Sequence, residues 1–531
     1  MANSAVHRNF SWLSIAVALF AGAVVALPTQ AQTVPLTLGA IPPEDVVPLA
    51  KDGLERALAD LPAAVESVLK RSGVPGAAVA VVHGGKTVFA RGFGVRELGK
   101  DATVDTATVF QIASMSKPIA ATIAATQVSA GTVKWDDRIV QHLPTFAVGD
   151  AYVTANGTIG DFYAHRSGLP HAAGDTLEDI GFDRTTILER LRMLPLEAFR
   201  TSYNYANFGY TTGAEAVAAA AGKAWADLAQ QALYGPLGMT STSSRYADFL
   251  ARENRATLHE LEGSRFVAGF KRDPDQQSPA GGVTSNVVDL AKWAALILAN
   301  GRHDGREMIA PAALLPALRS QAFSSPARTI GSRSGFYGFG FNVSVNANGR
   351  PDMSHSGAFV TGAATNVQFV PSADLAIIVL TNAGPVGAAE AISSHFLDIV
   401  QYGAVTRDWY ALMHPLLMQN YASVGDLVGK TAPASPAPAR PLADYVGTYD
   451  SPYFGPARIS QGENGLVLTL GPAAITMPMT HWDGDVFSIA PRSENAPYGS
   501  LSSVRFEGLG GALKSMRIDY LNDEGLATWT R

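Results

Sequence analysis

The sequence predicts an α+β protein whose antiparallel sheet is assembled from both ends of a catalytic unit around an inserted helical block, with a separate all-β barrel at the C-terminus. Three observations carry this prediction. Strand-forming runs flank a long Ala-rich, helix-forming middle. A Pro/Ala-rich segment, residues 431–441, interrupts the composition abruptly and reads as a stiff linker. Beyond it, short alternating runs recur between Gly, Asn and Pro, as small antiparallel barrels or sandwiches require.

Taken in order, the first segment is a leader. Arg8 supplies a cationic start, residues 13–27 are apolar but short for a membrane span, and Pro28-Thr29-Gln30-Ala31 ends in a small residue suited to cleavage. Residues 1–31 are therefore expected to be a secretory signal. The mature chain would be periplasmic or secreted, with no stable membrane insertion. A helix is expected over 49–70, then a hairpin of residues 76–83 and 87–92 turned at Gly84-Gly85. Residues 118–130 and 213–222 read as helices, and 366–370 with 375–381 as a strand pair turned at Pro371-Ser372-Ala373. The expected boundaries are a hydrolase domain at 32–405, a helix and linker at 406–441, and a barrel domain at 442–531. Within the last, strands are expected at 445–449, 457–460, 466–470, 486–489, 503–506, 515–520 and 527–530.

Composition narrows the function. Of 531 residues, 47% are hydrophobic and 16% charged, which fits a folded globular enzyme and not a polyelectrolyte. A net charge of −6 without a long basic run leaves no electrostatic footprint for nucleic acid. Cysteine is absent, which excludes disulfides, thiolate metal sites, a lipidated cysteine and a cysteine nucleophile together.

Three short constellations can carry chemistry. In Phe110-Gln-Ile-Ala-Ser114-Met-Ser116-Lys117, residues three apart on a helix share a face, so the Lys117 amine can reach the Ser114 hydroxyl. A lysine can take that proton only if its surroundings leave part of it neutral. The same spacing in Ser67-Val-Leu-Lys70 sits beside Arg71 and reads as the solvated face of an outer helix. In Tyr203-Asn-Tyr205-Ala-Asn207, a phenol able to relay a proton and an amide able to hold a carbonyl point from one loop, although such a loop can equally pack on a core. In Ser354-His355-Ser356-Gly357-Ala358, Gly357 would let a substrate backbone approach, and the Ala358 N–H can join that of Ser114 as an oxyanion hole. His355 would supply a donor or cation at the cleft edge, against the plainer reading of a satisfied buried histidine.

Ser114-x-x-Lys117, Tyr205-x-Asn207 and His355-x-Gly357, in that order, resemble the three motifs of class C β-lactamases, D-alanyl-D-alanine carboxypeptidases, D-aminopeptidases and related esterases. His165-Arg-Ser-Gly-Leu-Pro170, Pro236-Leu-Gly-Met239, Gly281-Gly-Val-Thr-Ser285 and Tyr337-Gly-Phe-Gly340 look like recurring segments of the same family. The chain from Leu442 onward, beginning Tyr445-Val-Gly-Thr-Tyr449, resembles the lipocalin-like β-domain appended to some members. The resemblance implies a three-layer β-lactamase/transpeptidase-like fold with a helical subdomain. It implies an acyl-enzyme on Ser114, general acid–base work by Lys117 and Tyr205, substrate binding by Asn207, His355 and Gly357, and an oxyanion hole from Ser114 and Ala358. No metal or cofactor is implied.

The family's peptidases often carry His-x-Gly where potent β-lactamases usually carry lysine, so peptide bonds are favoured over β-lactams. Arg166 replaces the small residue common after the histidine. The expected substrates are small, linear or D-residue-containing peptides; linearised cyclic peptides such as linear microcystin fall in that class, since a linear-microcystin peptidase belongs to this broad family. A carboxylesterase or weak β-lactamase is the alternative within the enzyme class, and an acylated sensor or ligand-binding protein the alternative outside it. Homo-oligomerisation is left open. No Gly-x-Ser-x-Gly elbow, second zinc-helix histidine or phosphate loop supports another hydrolase or nucleotide chemistry.

Overall fold

The computed structural model describes residues 47–509 and 512–531, so the expected leader at 1–31 lies outside the described residues. The first helix, α1 (Gly53–Ser72), buries Ala57, Leu61, Val65 and Val68, a single stripe at helical spacing. Ser67 and Lys70 are both exposed on its other face, as the solvated reading of that pair requires. The hairpin follows as β1 (Gly76–His83) and β2 (Lys86–Gly94), with Gly84 and Gly85 at φ 60° and 71°, a turn that side chains with a Cβ resist.

The remaining longer elements are α2 (Ser116–Ser129), α3 (Asn207–Ala220), α4 (Val287–Leu298), β3 (Ala322–Ser325), β4 (Gly335–Tyr337), β5 (Asn342–Val345), β6 (Pro351–Phe359), β7 (Ala363–Val370), β8 (Leu375–Thr381), α5 (Ala388–Tyr402) and α6 (Trp409–Leu417). The main sheet has eight antiparallel strands in the order β2-β1-β8-β7-β6-β5-β4-β3. Its centre joins the two ends of the catalytic unit, with Ala77 opposite Thr381 and His83 opposite Leu375.

The layering follows from strand periodicity. On β1, Ala78, Ala80 and Val82 belong to the apolar cluster under the inserted helices, whereas Val79 and Val81 belong to the cluster under α1 and α5. On β8, Ile378 and Leu380 face the first cluster, and Leu375, Ile377 and Val379 the second. Helices therefore cover both faces of the sheet.

The C-terminal strands close into an eight-stranded antiparallel barrel. Seven of its strands coincide with the expected runs; the unexpected one is Ile475–Asp483. Pro478 marks that run as broken by sequence rules. In the barrel, Pro478 stays exposed opposite Val467 while Met477 and Met479 turn inward, so the alternation survives the proline. Aromatic side chains fill the interior: Tyr445 and Phe487 lie 4.9 Å apart between ring centroids, and Phe454 and Trp529 5.2 Å. One apolar cluster continues from the helical block into the barrel.

Candidate active site

Ser114 lies in a single turn, Ala113–Met115, that runs directly into α2. Ala113 takes φ 47°, a left-handed conformation that is strained for a residue with a Cβ, immediately before the serine. Its surroundings hold it there. The Thr365 hydroxyl donates to the Ile112 carbonyl at 2.9 Å, Ser116 Oγ donates to the Ala113 carbonyl at 2.6 Å, and the Val283 N–H donates to Ser116 Oγ at 2.9 Å. The turn is thus pinned to β7 on one side and to the Gly281–Ser285 phrase on the other.

Gly357 completes the clamp. A Cβ there would lie 2.1 Å from the Ile112 carbonyl oxygen and 2.4 Å from Thr365 Oγ1. The close approach that this glycine permits is that of β6 to the serine turn, a nearer neighbour than the substrate backbone expected at this position. Strand β5 pairs with β6 only as far as Ser354, so the edge of β6 carrying His355, Gly357 and Ala358 runs past its neighbour.

Lys117 is fully buried and its Nζ has three neighbours: Ser114 Oγ at 3.1 Å, Asn207 Oδ1 at 2.8 Å and the Ala280 carbonyl at 3.0 Å. Burial pulls its pKa from the usual 10.5 down to about 7, against the opposing pull of the Asp175 carboxylate. The neutral amine has two N–H groups and one lone pair. Two neighbours are carbonyl oxygens, which can only accept, so the N–H groups satisfy them and the lone pair is left for the serine hydroxyl. Asn207 is held in this orientation because its Nδ2 donates to Asp175 Oδ2 at 2.9 Å.

Tyr205 packs its ring over the lysine, with Nζ 4.4 Å from the ring centroid. Burial pushes its phenol above the usual range, partly countered by the Ser114 hydroxyl. Burial thus moves the amine toward neutral and keeps the phenol protonated. The loop is held from behind by His165, at φ 55°, whose Nδ1 accepts from the Ala206 N–H at 3.2 Å.

His355 corrects an expectation. It is buried, its Nδ1–H donates to the Ser356 carbonyl at 2.6 Å, and its Nε2 accepts from the Tyr337 hydroxyl at 2.9 Å. Burial and the Lys117 charge pull its pKa to about 3, so it brings no cation to the cleft edge. Arg166 also finds its place: its Nε donates to buried Asp161 at 2.9 Å, which Arg200 also contacts at 2.9 Å, and its Nη1 donates to the Gln321 carbonyl. It braces the loop after His165.

Four participants were not assigned by sequence reasoning: the Ala280 carbonyl, Asp175, Tyr337 and the barrel loop at 492–495. A backbone acceptor leaves no trace in residue types. The barrel loop ties the segment after β6 to Asp179 of the helical block. Glu494 accepts from the Val360 N–H at 2.7 Å and the Thr361 hydroxyl at 2.8 Å, just beyond β6, while Ser493 Oγ and Asn495 Nδ2 donate to Asp179 at 2.6 and 2.9 Å.

A serine and a buried, near-neutral lysine one turn apart, joined by a Tyr-x-Asn loop and a His-x-Gly strand, define a serine hydrolase acting on amide or ester bonds. The chain belongs to the β-lactamase family: the family model described as Beta-lactamase matches residues 55–397. Residues 431–525 match a domain of unknown function designated DUF3471. An "Unguisins hydrolase ungD'" of Aspergillus campestris is 27% identical, over 75% of this chain and 76% of its own. "Penicillin-binding protein 4" of Amycolatopsis lactamdurans is 28% identical, over 71% and 93%. The octameric penicillin-binding protein homologue from Pyrococcus abyssi shares the fold, with a TM-score of 0.57 at 17% identity, over 87% of this chain and 98% of that one.

Proposed function

We propose that this protein is an exported peptidase acting through an acyl-enzyme on Ser114, with small, linear or D-residue-containing peptides, including linearised cyclic peptides, as substrates. The observation that carries the reading is the Lys117 amine, dehydrated to a pKa of about 7 and offering its lone pair to Ser114. Ser114 Oγ attacks the substrate carbonyl as its proton passes to Lys117. The N–H groups of Ser114 and Ala358 receive the oxyanion, and Asn207 binds the substrate amide. As the C–N bond breaks, the proton reaches the leaving amine through Tyr205. Water then repeats the sequence on the ester and releases the acid.

A relative named for hydrolysis of unguisins, together with the uncharged His355, favours turnover of amides. The penicillin-binding relative keeps slow acylation by β-lactams as a second reading. The aromatic filling of the barrel weighs against an apolar-ligand sensor. Export and the role of the barrel as a lipocalin-like unit belong to this proposal, and an oligomer is a further option raised by the octameric neighbour. The test is Ser114→Ala: turnover of a mixed panel of L- and D-peptides, read by product mass, should vanish with the melting temperature unchanged. Retained turnover refutes the assignment.

A further inference from the structure

From His355 onward β6 has a paired strand on one side only, because β5 follows it no further than Ser354. Gly357, Ala358 and Phe359 lie opposite Thr365, Ala364 and Ala363 of β7, and residues 360–362 make the turn between the two strands. The place of the Ala358 N–H therefore depends on the β7 ladder and on what grips that turn. The grip comes from the barrel. Glu494 Oε1 accepts from the Val360 N–H at 2.7 Å, and Oε2 accepts from the Thr361 N–H at 3.3 Å and the Thr361 hydroxyl at 2.8 Å. Three donors of one turn thus converge on one side chain, and Val360 is only about 7 Å of extended chain past Ala358.

The loop that carries Glu494 is docked on either side of it by separate contacts. Arg492 pairs with Glu260 at 3.1 Å and with Glu262, and its guanidinium lies 4.5 Å from the centroid of the Phe270 ring. Ser493 and Asn495 hold Asp179. Between the gripped turn and Ala358 stands Phe359, and its ring meets both halves of the catalytic machinery. It is 4% exposed and shares an apolar cluster with Ala113, the strained residue immediately before Ser114. A Cβ on Gly281 would lie 3.6 Å from the tip of the same ring, and the carbonyl of the preceding Ala280 accepts from Lys117. The Arg272 guanidinium, paired with Glu178, lies 5.2 Å from the centroid of that ring. A shift of the turn would therefore move Ala358 directly, and through Phe359 would loosen the packing of the serine turn.

We propose that Glu494 is a positioning residue for the oxyanion hole: through this one side chain the barrel fixes the turn after β6, and with it the Ala358 N–H and the Phe359 ring packed on the Ser114 turn. The proposal rests on the oxyanion-hole role given above to Ser114 and Ala358, and adds a residue of the second domain to the reaction. Glu494 acts through the turn, and its own contacts are with Val360 and Thr361.

The experiment uses the full chain and a fluorophosphonate probe, whose phosphoryl oxygen needs the same N–H donors as Ser114 is labelled. Glu494→Ala should slow labelling at least about tenfold, since a displaced oxyanion donor costs rate steeply. Every chain should still be labelled at long times, whereas an unfolded fraction would lower the end point and leave the rate of the remainder unchanged. Glu494→Gln keeps an acceptor for the Val360 N–H and should recover the wild-type rate to within about threefold. Amide exchange of the peptide covering residues 358–362 should quicken in Glu494→Ala at least about tenfold, while that of the barrel strands stays as in the wild type. Should Glu494→Ala be insoluble, Glu494→Asp, which sets the carboxyl group one carbon short of the turn, carries the same comparison. A wild type that is labelled yet cleaves no peptide would refute the peptidase reading alone, and the labelling ratio would still decide the role of Glu494. Labelling of Glu494→Ala at the wild-type rate, a loss that Glu494→Gln does not restore, or unchanged exchange at 358–362 overturns the proposal.

Discussion

Protonation of Lys117 should govern the acid limb of the rate. The amine is excluded from solvent, and burial lowers its pKa from 10.5 to about 7. If the neutral amine accepts the Ser114 proton, acylation follows the neutral fraction: about half at pH 7, about a tenth at pH 6 and about a hundredth at pH 5. kcat/KM for an amide substrate should therefore fall roughly tenfold per pH unit below about pH 6 and level off above about pH 8. Stability changes in a linked way. Between about pH 7 and 10.5 the unfolded lysine holds a proton that the folded one has released, so the folded state gains stability as pH rises through that window. Below it, the full cost of the buried charge applies, on the order of 5 kcal/mol. Lys117→Met has similar volume and removes that cost while losing three hydrogen bonds, so its melting temperature at pH 7 should equal or exceed that of the wild type. Covalent labelling by a fluorophosphonate should be lost. A flat rate profile between about pH 5 and 8, or stoichiometric labelling of Lys117→Met, would refute the reasoning.

Other substitutions probe the frame around the serine. Gly357→Ala places a methyl 2.1 Å from the Ile112 carbonyl oxygen, so β6 or the serine turn must move; activity should drop at least a hundredfold, with about 1–3 kcal/mol lost in urea unfolding. Asp161→Ala strands Arg166 and Arg200 and should cost about 3–5 kcal/mol, measured by urea unfolding at pH 7. The Asp161 carboxyl is held below its usual pKa by Arg200 and Thr158 in spite of its burial, so this contribution is present above about pH 4 and is lost on further acidification. Glu494 has the opposite sign: burial raises it from 4.5 to about 7, so the fold should gain stability as pH falls from about 7 toward 4.5. Glu494→Gln should flatten that part of the melting-temperature profile; an unchanged profile would count against its burial.

Much of the site could be read in advance because its chemistry resides in residue types at fixed spacing. Ser114 and Lys117 lie one turn apart, and hydrogen bonds run along the path from Ser114 through Lys117 to Asn207. What escaped was set by tertiary packing. The charge state of His355 depends on two partners, Tyr337 and its own strand, and on burial that no tripeptide encodes. The role of Gly357 depends on a carbonyl that lies far away in sequence. The strand at Ile475–Asp483 escaped because propensity rules penalise Pro478, whereas a solvent-facing position in the barrel accommodates it. The small strands β3 to β5 escaped because they are only three or four residues long and carry little apolar pattern.

The register of β1 against β8 has a consequence for how the molecule is made. The hairpin that follows α1 finds its central partner in residues synthesised roughly three hundred positions later, a very non-local pairing. Until then the inward-facing valines and alanines of β1 have only β2 beside them, and the serine turn lacks the β6 and β7 walls that fix its strained backbone. The serine turn thus takes its final shape only after nearly the whole catalytic unit has emerged.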